Sequence, residues 1–109
     1  MTTKDDELIN LIARCALKDE AALKALYDRL SPYLNGVVYR LVHSQALSSE
    51  VLQEGFIQVW QHAASYRPHQ SKPLTWSTSI MRYRALDQLD HAHRHDRTSS
   101  GDREPAPLA

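Results

Sequence analysis

Apolar residues recur at intervals of three and four along most of this 109-residue chain, the spacing that lines one face of an α-helix. The longest such run extends from Leu23 to Val42 without losing phase. Pro32 falls inside it, and proline removes a backbone donor and clashes with the preceding turn. The pattern therefore predicts either a kinked helix or two helices capped at Ser31, and the unbroken phase favours the kink.

A first, shorter helix is predicted from about Asp5 to Lys18, with acidic residues in its first turn, where they suit the helix dipole. A third helix follows the long one and is predicted to begin at Ser48, a residue type suited to an N-cap. Its predicted buried residues are Val51, Leu52, Phe56, Val59 and Trp60.

The last helix is predicted to start near Leu74 or Thr75 and to end at about His93. Its predicted inward residues are Trp76, Ile80, Tyr83 or Leu86, and Leu89. The segment "SYRPHQSKP" before it contains two prolines and small polar residues, which indicate an ordered loop. No segment shows the alternation of a half-buried strand.

These elements predict an all-α fold, a compact bundle of three to four helices formed by residues 1–97. From Thr98 onwards the sequence "TSSGDREPAPLA" has the composition of a linker, so residues 98–109 are predicted to form a flexible tail.

The single cysteine, Cys15, excludes an internal disulfide framework and a cysteine-based zinc site, which fits a reducing compartment. The acidic start lacks the features of a signal peptide, and no apolar run approaches the roughly 18 residues of a membrane span. We therefore expect a cytoplasmic protein without membrane insertion.

Catalytic signatures are also missing from the sequence, which has no phosphate-binding glycine loop, nucleophile elbow or zinc-protease motif. We expect neither an enzyme nor a cofactor. His91 and His95 are four residues apart and could share one metal ion, but His93 would point away and no third ligand is evident. The sequence therefore predicts no metal site, and a small histidine-ligated metal protein is the weakest alternative.

The charge is unevenly distributed although the formal net charge is zero. Residues 1–65 contain six Lys or Arg and eight Asp or Glu, whereas residues 66–97 contain six and three. Four of the six histidines also lie in residues 66–97. A local excess of positive charge is typical of a surface that contacts nucleic acid.

Two motifs carry a resemblance to a known family. They are "LQEGFIQVW" at Leu52–Trp60 and "WSTSIMRYRALD" at Trp76–Asp87, separated by the proline-containing loop. Together with "AALKALYDRLSPYLNGVVYRLV", they resemble conserved region 2 of bacterial sigma factors of the extracytoplasmic-function group, over about residues 20–95. The resemblance implies a helical domain that binds core RNA polymerase and opens the promoter −10 element. It also implies a second domain, a helix-turn-helix, which is absent from this chain.

Polymerase-binding residues follow from the resemblance, which places them where the family docks on the clamp helices of the β-prime subunit. The sequence independently predicts an exposed polar face on the third helix at the same positions. The candidates are Glu50, Gln53, Glu54 and Gln58.

DNA-binding residues are implied in the loop, which captures a flipped base in the family, and in the last helix, which lines the −10 strand. The expected ligand is single-stranded non-template DNA, held by aromatic or apolar pockets beside cations. The candidates are Tyr66, Arg67, His69, Lys72, Trp76, Arg82, Tyr83 and Arg84.

Alternative interpretations remain open at this stage. Trp60 and Trp76 are more often core residues than base platforms, because tryptophan is usually largely buried. A helical interaction module that binds polymerase or an anti-sigma factor without reading DNA is the alternative function. An anti-sigma factor is an expected partner under either interpretation.

Overall fold

The computed structural model describes residues 3–99 of the chain, with side chains for residues 4–91. Within this range the chain forms four α-helices, one short 3-10 helix and no strand, which confirms the predicted all-α bundle. The helices are α1 (Thr3–Ala16), α2 (Glu20–Val42), α3 (Gln45–His62) and α4 (Pro73–Ser99), with the 3-10 helix at Ala63–Ser65. α4 extends beyond its predicted end at His93 and includes Thr98 and Ser99, the first two residues of the predicted tail; the rest of that tail lies outside the described residues.

The central element, α2, is a single helix of 23 residues that continues through Pro32. The alternative of two helices capped at Ser31 is therefore wrong. His43 ends α2 in the left-handed conformation, with a φ of 54°, and its backbone N–H donates to the Tyr39 carbonyl. The buried residues of α2 follow one another at intervals of four: Ala22, Leu26, Leu30, Leu34, Val38 and Val42.

The start of α3 differs from the prediction by one turn. Ser44, not Ser48, is the N-cap, and its hydroxyl accepts a hydrogen bond from the Leu47 backbone at 3.2 Å. Ser48 is fully buried inside the helix. The apolar pattern is weak in the first turn of α3, so it did not indicate that the helix begins before Ser48. Of the predicted core residues, Val51, Leu52, Phe56 and Val59 are buried, whereas Trp60 is partly buried against the core.

The orientation of α4 also corrects the prediction. Tyr83 and Leu86 do not face inward, since they are 72% and 52% exposed, and Met81 and Ala85 are fully buried instead. Gly55 of α3 permits this orientation because it leaves space for the end of the Met81 side chain. A Cβ atom at position 55 would lie only 2.7 Å from Met81 Cε. The two helices therefore approach closely along this line.

None of the helices in the described part of the chain combines the length and apolar character needed to cross a membrane.

Asp19 stabilises the junction between α1 and α2. Its carboxylate accepts hydrogen bonds from the backbone of Ala21 and Ala22 as the N-cap of α2, and from Arg14 Nε at 2.9 Å. The hydrogen bond from Arg14 is the main reason that the pKa of Asp19 lies below its usual value. A carboxyl group whose pKa is depressed by folding stabilises the fold above its unfolded-state pKa, and this contribution is lost as the pH falls through the folded-state pKa.

We expect Asp19→Asn to lower the stability of the protein at pH 7, because asparagine keeps a capping oxygen but loses the charge that pairs with Arg14. The difference from the wild type should shrink as the pH falls below about 4, where the unfolded carboxyl becomes protonated. Urea unfolding across this pH range measures it. Asp28→Asn, which removes an equal charge from an exposed pair with Lys24, is the control. A stability difference for Asp19→Asn that does not vary with pH contradicts the expectation.

Candidate functional site

The four predicted polymerase-binding residues share one side of α3, and we call them the α3 stripe. Glu50 and Gln53 are exposed, whereas Glu54 and Gln58 are partly buried. Their spacing of three and four residues brings them together on the helix surface. α3 therefore has a polar face whose first residues are exposed to solvent and whose partly buried residue Glu54 lies beside α4.

An apolar groove lies beside the stripe, between α2 and α3, and we call it the α2–α3 groove. Its volume is about 380 Å³. Ile57 is 53% exposed there, and the ring of Tyr27 lies 4.8 Å from that of Phe56. This groove was not predicted from the sequence, although Ile57 is out of phase with the buried face of α3 and could have indicated it. The lining residues are Glu20, Leu23, Lys24, Tyr27, Gln53, Phe56 and Ile57.

Glu54 and Arg84, predicted for two different surfaces, form an ion pair. Arg84 Nη2 donates to Glu54 Oε1 at 2.6 Å, and Arg84 Nη1 lies 3.4 Å from Asp87 Oδ2. Gln88 Nε2 donates to the same Glu54 oxygen at 3.4 Å. The hydrogen bond to Glu54 raises the pKa of Arg84 above its usual value, although burial alone would lower it. The pair therefore connects α3 to α4.

Tyr66 and Trp76 hold the loop between the 3-10 helix and α4. The ring of Tyr66 is buried, its centroid lies 4.8 Å from that of Trp76, and its hydroxyl donates to the Ser71 carbonyl at 2.8 Å. Burial raises the pKa of Tyr66. Trp76 is partly buried and packs against the core, in agreement with its interpretation as a core residue. These two aromatic residues shape the loop from within.

The cations and the histidine of the loop lie outside this aromatic pair. Arg67, His69 and Lys72 are exposed. Arg67 Nη1 donates to the carbonyls of Ala64 and Tyr66 at 3.0 and 3.3 Å, which fixes part of its side chain against the 3-10 helix. The loop therefore exposes positively charged side chains to solvent, and the hydrogen bonds of Arg67 restrain its backbone.

A second groove, the α4 groove, runs along the exposed face of α4 and has a volume of about 470 Å³. It contains two of the predicted DNA-binding residues, Arg82 and Tyr83. Tyr33 of α2 lies on its other side and is 54% exposed. Tyr33 was not among the predicted DNA-binding residues because its position fits the apolar phase of α2. The lining residues are Tyr33, Leu74, Thr75, Thr78, Ser79, Arg82, Tyr83 and Leu86.

The predicted DNA-binding residues therefore do not form one surface. Arg82 and Tyr83 line the α4 groove, the loop residues precede α4, Trp76 packs against the core, and Arg84 faces α3. No group of three His, Cys, Asp or Glu side chains in the described part of the chain is arranged to hold a metal ion. His93 and His95 lie outside the described side chains.

Comparison with known proteins identifies the family. Residues 26–95, which include most of α2, all of α3 and most of α4, match the family described as Sigma-70 region 2. The chain belongs to the sigma-70 region 2 family. Sigma factors are initiation factors without enzymatic activity, so the prediction of a non-enzymatic protein agrees with membership of this family.

Curated relatives of the chain are extracytoplasmic-function sigma factors. The chain is 34% identical over 89 residues to "ECF RNA polymerase sigma factor SigK" of Mycobacterium sp. (strain KMS), covering 82% of this chain and 45% of the relative. The protein of the same name from Mycolicibacterium vanbaalenii is 31% identical over 83 residues, covering 76% and 42%. These matches confirm the predicted resemblance, and the chain spans less than half the length of either relative.

Proposed function

We propose that this chain acts in transcription initiation as region 2 of an extracytoplasmic-function sigma factor, binding core RNA polymerase and recognising the opened promoter −10 element. The observation that supports this most strongly is the α4 groove, which places an exposed cation, Arg82, beside two exposed aromatic rings, Tyr33 and Tyr83. Base stacking and phosphate contacts require this combination of side chains. The membership of residues 26–95 in the sigma-70 region 2 family supports the same function.

The proposed polymerase surface combines the α3 stripe with the α2–α3 groove. Protein interfaces derive affinity from apolar side chains in their centre, while polar residues around them fix the orientation. Ile57 and Tyr27 provide the apolar centre, and Gln53 belongs to both the groove and the stripe. The proposed partner is the pair of clamp helices of the β-prime subunit. An anti-sigma factor that covers the same surface would compete with polymerase. The proposed location of this chain is the cytoplasm.

The proposed DNA surface combines the α4 groove with the exposed loop residues Arg67, His69 and Lys72. Bases of a separated strand can stack on Tyr33 or Tyr83, whereas bases in a duplex are already stacked on one another. Preferential binding to the single strand shifts the melting equilibrium towards the open form without covalent chemistry. Tyr66 and Trp76 would contribute by holding the loop in place.

A polymerase-binding assay with a single substitution tests the first half of this function. We expect Ile57→Arg to weaken binding to purified core RNA polymerase about tenfold or more, because it places an unpaired charge in the apolar centre of the proposed interface. The fold should tolerate the change, since the side chain is 53% exposed. Leu17→Arg is the matched control because Leu17 is an exposed apolar residue outside both grooves.

If Ile57→Arg and the wild type bind polymerase with equal affinity, the α2–α3 groove is not part of the interface. If the chain binds polymerase but shows no affinity for the −10 strand even in its presence, the alternative of an interaction module that does not read DNA would replace the proposal.

A further inference from the structure

Arg84 shares its helix with the exposed Arg82, yet the two arginines have different surroundings. Residues two apart on a helix are separated by about 200°. Arg82 is exposed in the α4 groove, and no ion-pair partner is found for it among the described residues. The Arg84 side chain is only 22% exposed and points towards α3, where Glu54 accepts its hydrogen bond.

The guanidinium of Arg84 is poorly placed to contact a phosphate. Its Nη atoms face the carboxylates of Glu54 and Asp87, and its Nε is buried without a hydrogen-bond partner in the described part of the chain. Reaching DNA would require the 2.6 Å pair with Glu54 to break. That would leave a partly buried carboxylate without its main partner, which is costly.

We propose that Arg84 is a positioning residue of the polymerase-binding surface and not a DNA contact. It holds the Glu54 carboxylate in a fixed orientation within the α3 stripe, so that a residue of α4 organises the face that α3 presents to polymerase. This inference rests on the proposed function, because it assumes that Glu54 contacts polymerase.

The physical benefit is preorganisation. A free glutamate side chain loses rotational freedom when a partner binds it, and this loss opposes binding. Arg84 and Gln88 both donate to the same Glu54 oxygen, so this restriction is already present before polymerase arrives. Arginine suits this role because its planar fork can bridge two carboxylates, whereas lysine provides a point charge.

The first test is a double-mutant cycle on the affinity for core polymerase. We expect Arg84→Ala to weaken binding about 2- to 10-fold, the range that corresponds to ordering one side chain. Glu54→Gln should weaken binding at least as much, and adding Arg84→Ala to it should cause no further loss. Arg40→Ala is the control because Arg40 is an exposed arginine of α2 outside both grooves. Its affinity should equal that of the wild type.

A charge exchange separates positioning from a general effect on stability. The double variant Glu54→Arg, Arg84→Glu restores an ion pair between α3 and α4, so the thermal unfolding midpoint should recover relative to Arg84→Ala. Polymerase affinity should stay low, because no carboxylate remains in the α3 stripe at position 54. Recovery of both quantities would show a purely structural pair and overturn the proposal.

DNA binding provides the independent readout. Arg84→Ala should leave the salt dependence of single-strand affinity unchanged, whereas loss of a phosphate contact would reduce the slope of log affinity against log salt by about 0.7. A reduced slope, additive losses in the cycle, or wild-type polymerase affinity of Arg84→Ala would each overturn the inference. If the wild-type chain itself does not bind polymerase, both the proposed function and this inference fail. In the three outcomes above the wild-type chain still binds polymerase, so the two kinds of failure are distinguishable.

Discussion

Replacing Tyr83 with alanine should weaken binding of the single-stranded non-template −10 sequence by roughly 5- to 150-fold. This range corresponds to the loss of one base stacked on an aromatic ring, about 1–3 kcal/mol. Tyr83 is 72% exposed, so its ring is available to a base and its removal should have little effect on folding. Fluorescence anisotropy with a labelled strand and the same sequence as a labelled duplex measures the affinities.

Two comparisons isolate the stacking contribution. Tyr83→Phe should retain most of the affinity because it keeps the ring, and Tyr39→Ala should have no effect because Tyr39 is an exposed tyrosine outside the α4 groove. The wild type should prefer the strand to the duplex. With Arg67, Lys72 and Arg82 as phosphate contacts, the slope of log affinity against log salt should be about −2. Equal affinity of the wild type and Tyr83→Ala for the strand would exclude Tyr83 as a stacking platform.

The second large effect is on stability: alanine at Gly36 and at Gly55, the glycines of the described helices, should change the stability in opposite directions. Alanine at Gly36 in α2 has no neighbouring atom within 4 Å, so it should stabilise the fold by about 0.5–1 kcal/mol through its higher helix propensity. Alanine at Gly55 in α3 would clash with the end of the buried Met81 side chain. Because Met81 is fully buried, the end of its side chain has little room to move aside, so overpacking of about 1–3 kcal/mol should outweigh the propensity gain.

Chemical denaturation of the two single variants measures the opposite changes in the free energy of unfolding. Thermal unfolding should show midpoint shifts of roughly 4–8 °C for each kcal/mol. The variant Met81→Ala tests whether the clash with Met81 causes the destabilisation by Gly55→Ala. On its own it should destabilise the fold by about 2–5 kcal/mol, but in its background Gly55→Ala should no longer be unfavourable because the clashing atoms are gone. If Gly55→Ala stabilises the wild-type protein, the close approach of α3 and α4 at this position is not restrictive.

The sequence alone was sufficient to predict the family and the four helices, although not the start of α3. The apolar residues of α2 keep a helical phase from one end to the other, and a pattern of this length overrides the single unfavourable Pro32. The motifs at residues 52–60 and 76–87 were sufficient for the family because they consist of residue types at fixed spacing, which are local properties of the chain. The polar positions of the α3 stripe were predictable for the same reason.

The tertiary structure alone decided which face of α4 is buried and what Arg84 contacts. α4 itself has large apolar or aromatic side chains on several faces, so their periodicity does not select one buried face. Tyr83 was therefore offered as an inward residue although it is exposed. The observed phase buries Ser77, Met81 and Ala85, and Gly55 leaves the space that Met81 occupies. That choice turns Arg84 towards Glu54, thirty positions earlier in the chain, and leaves Arg82 in the groove. Contacts over such separations depend on how two helix surfaces fit together, which the spacing within either helix does not encode.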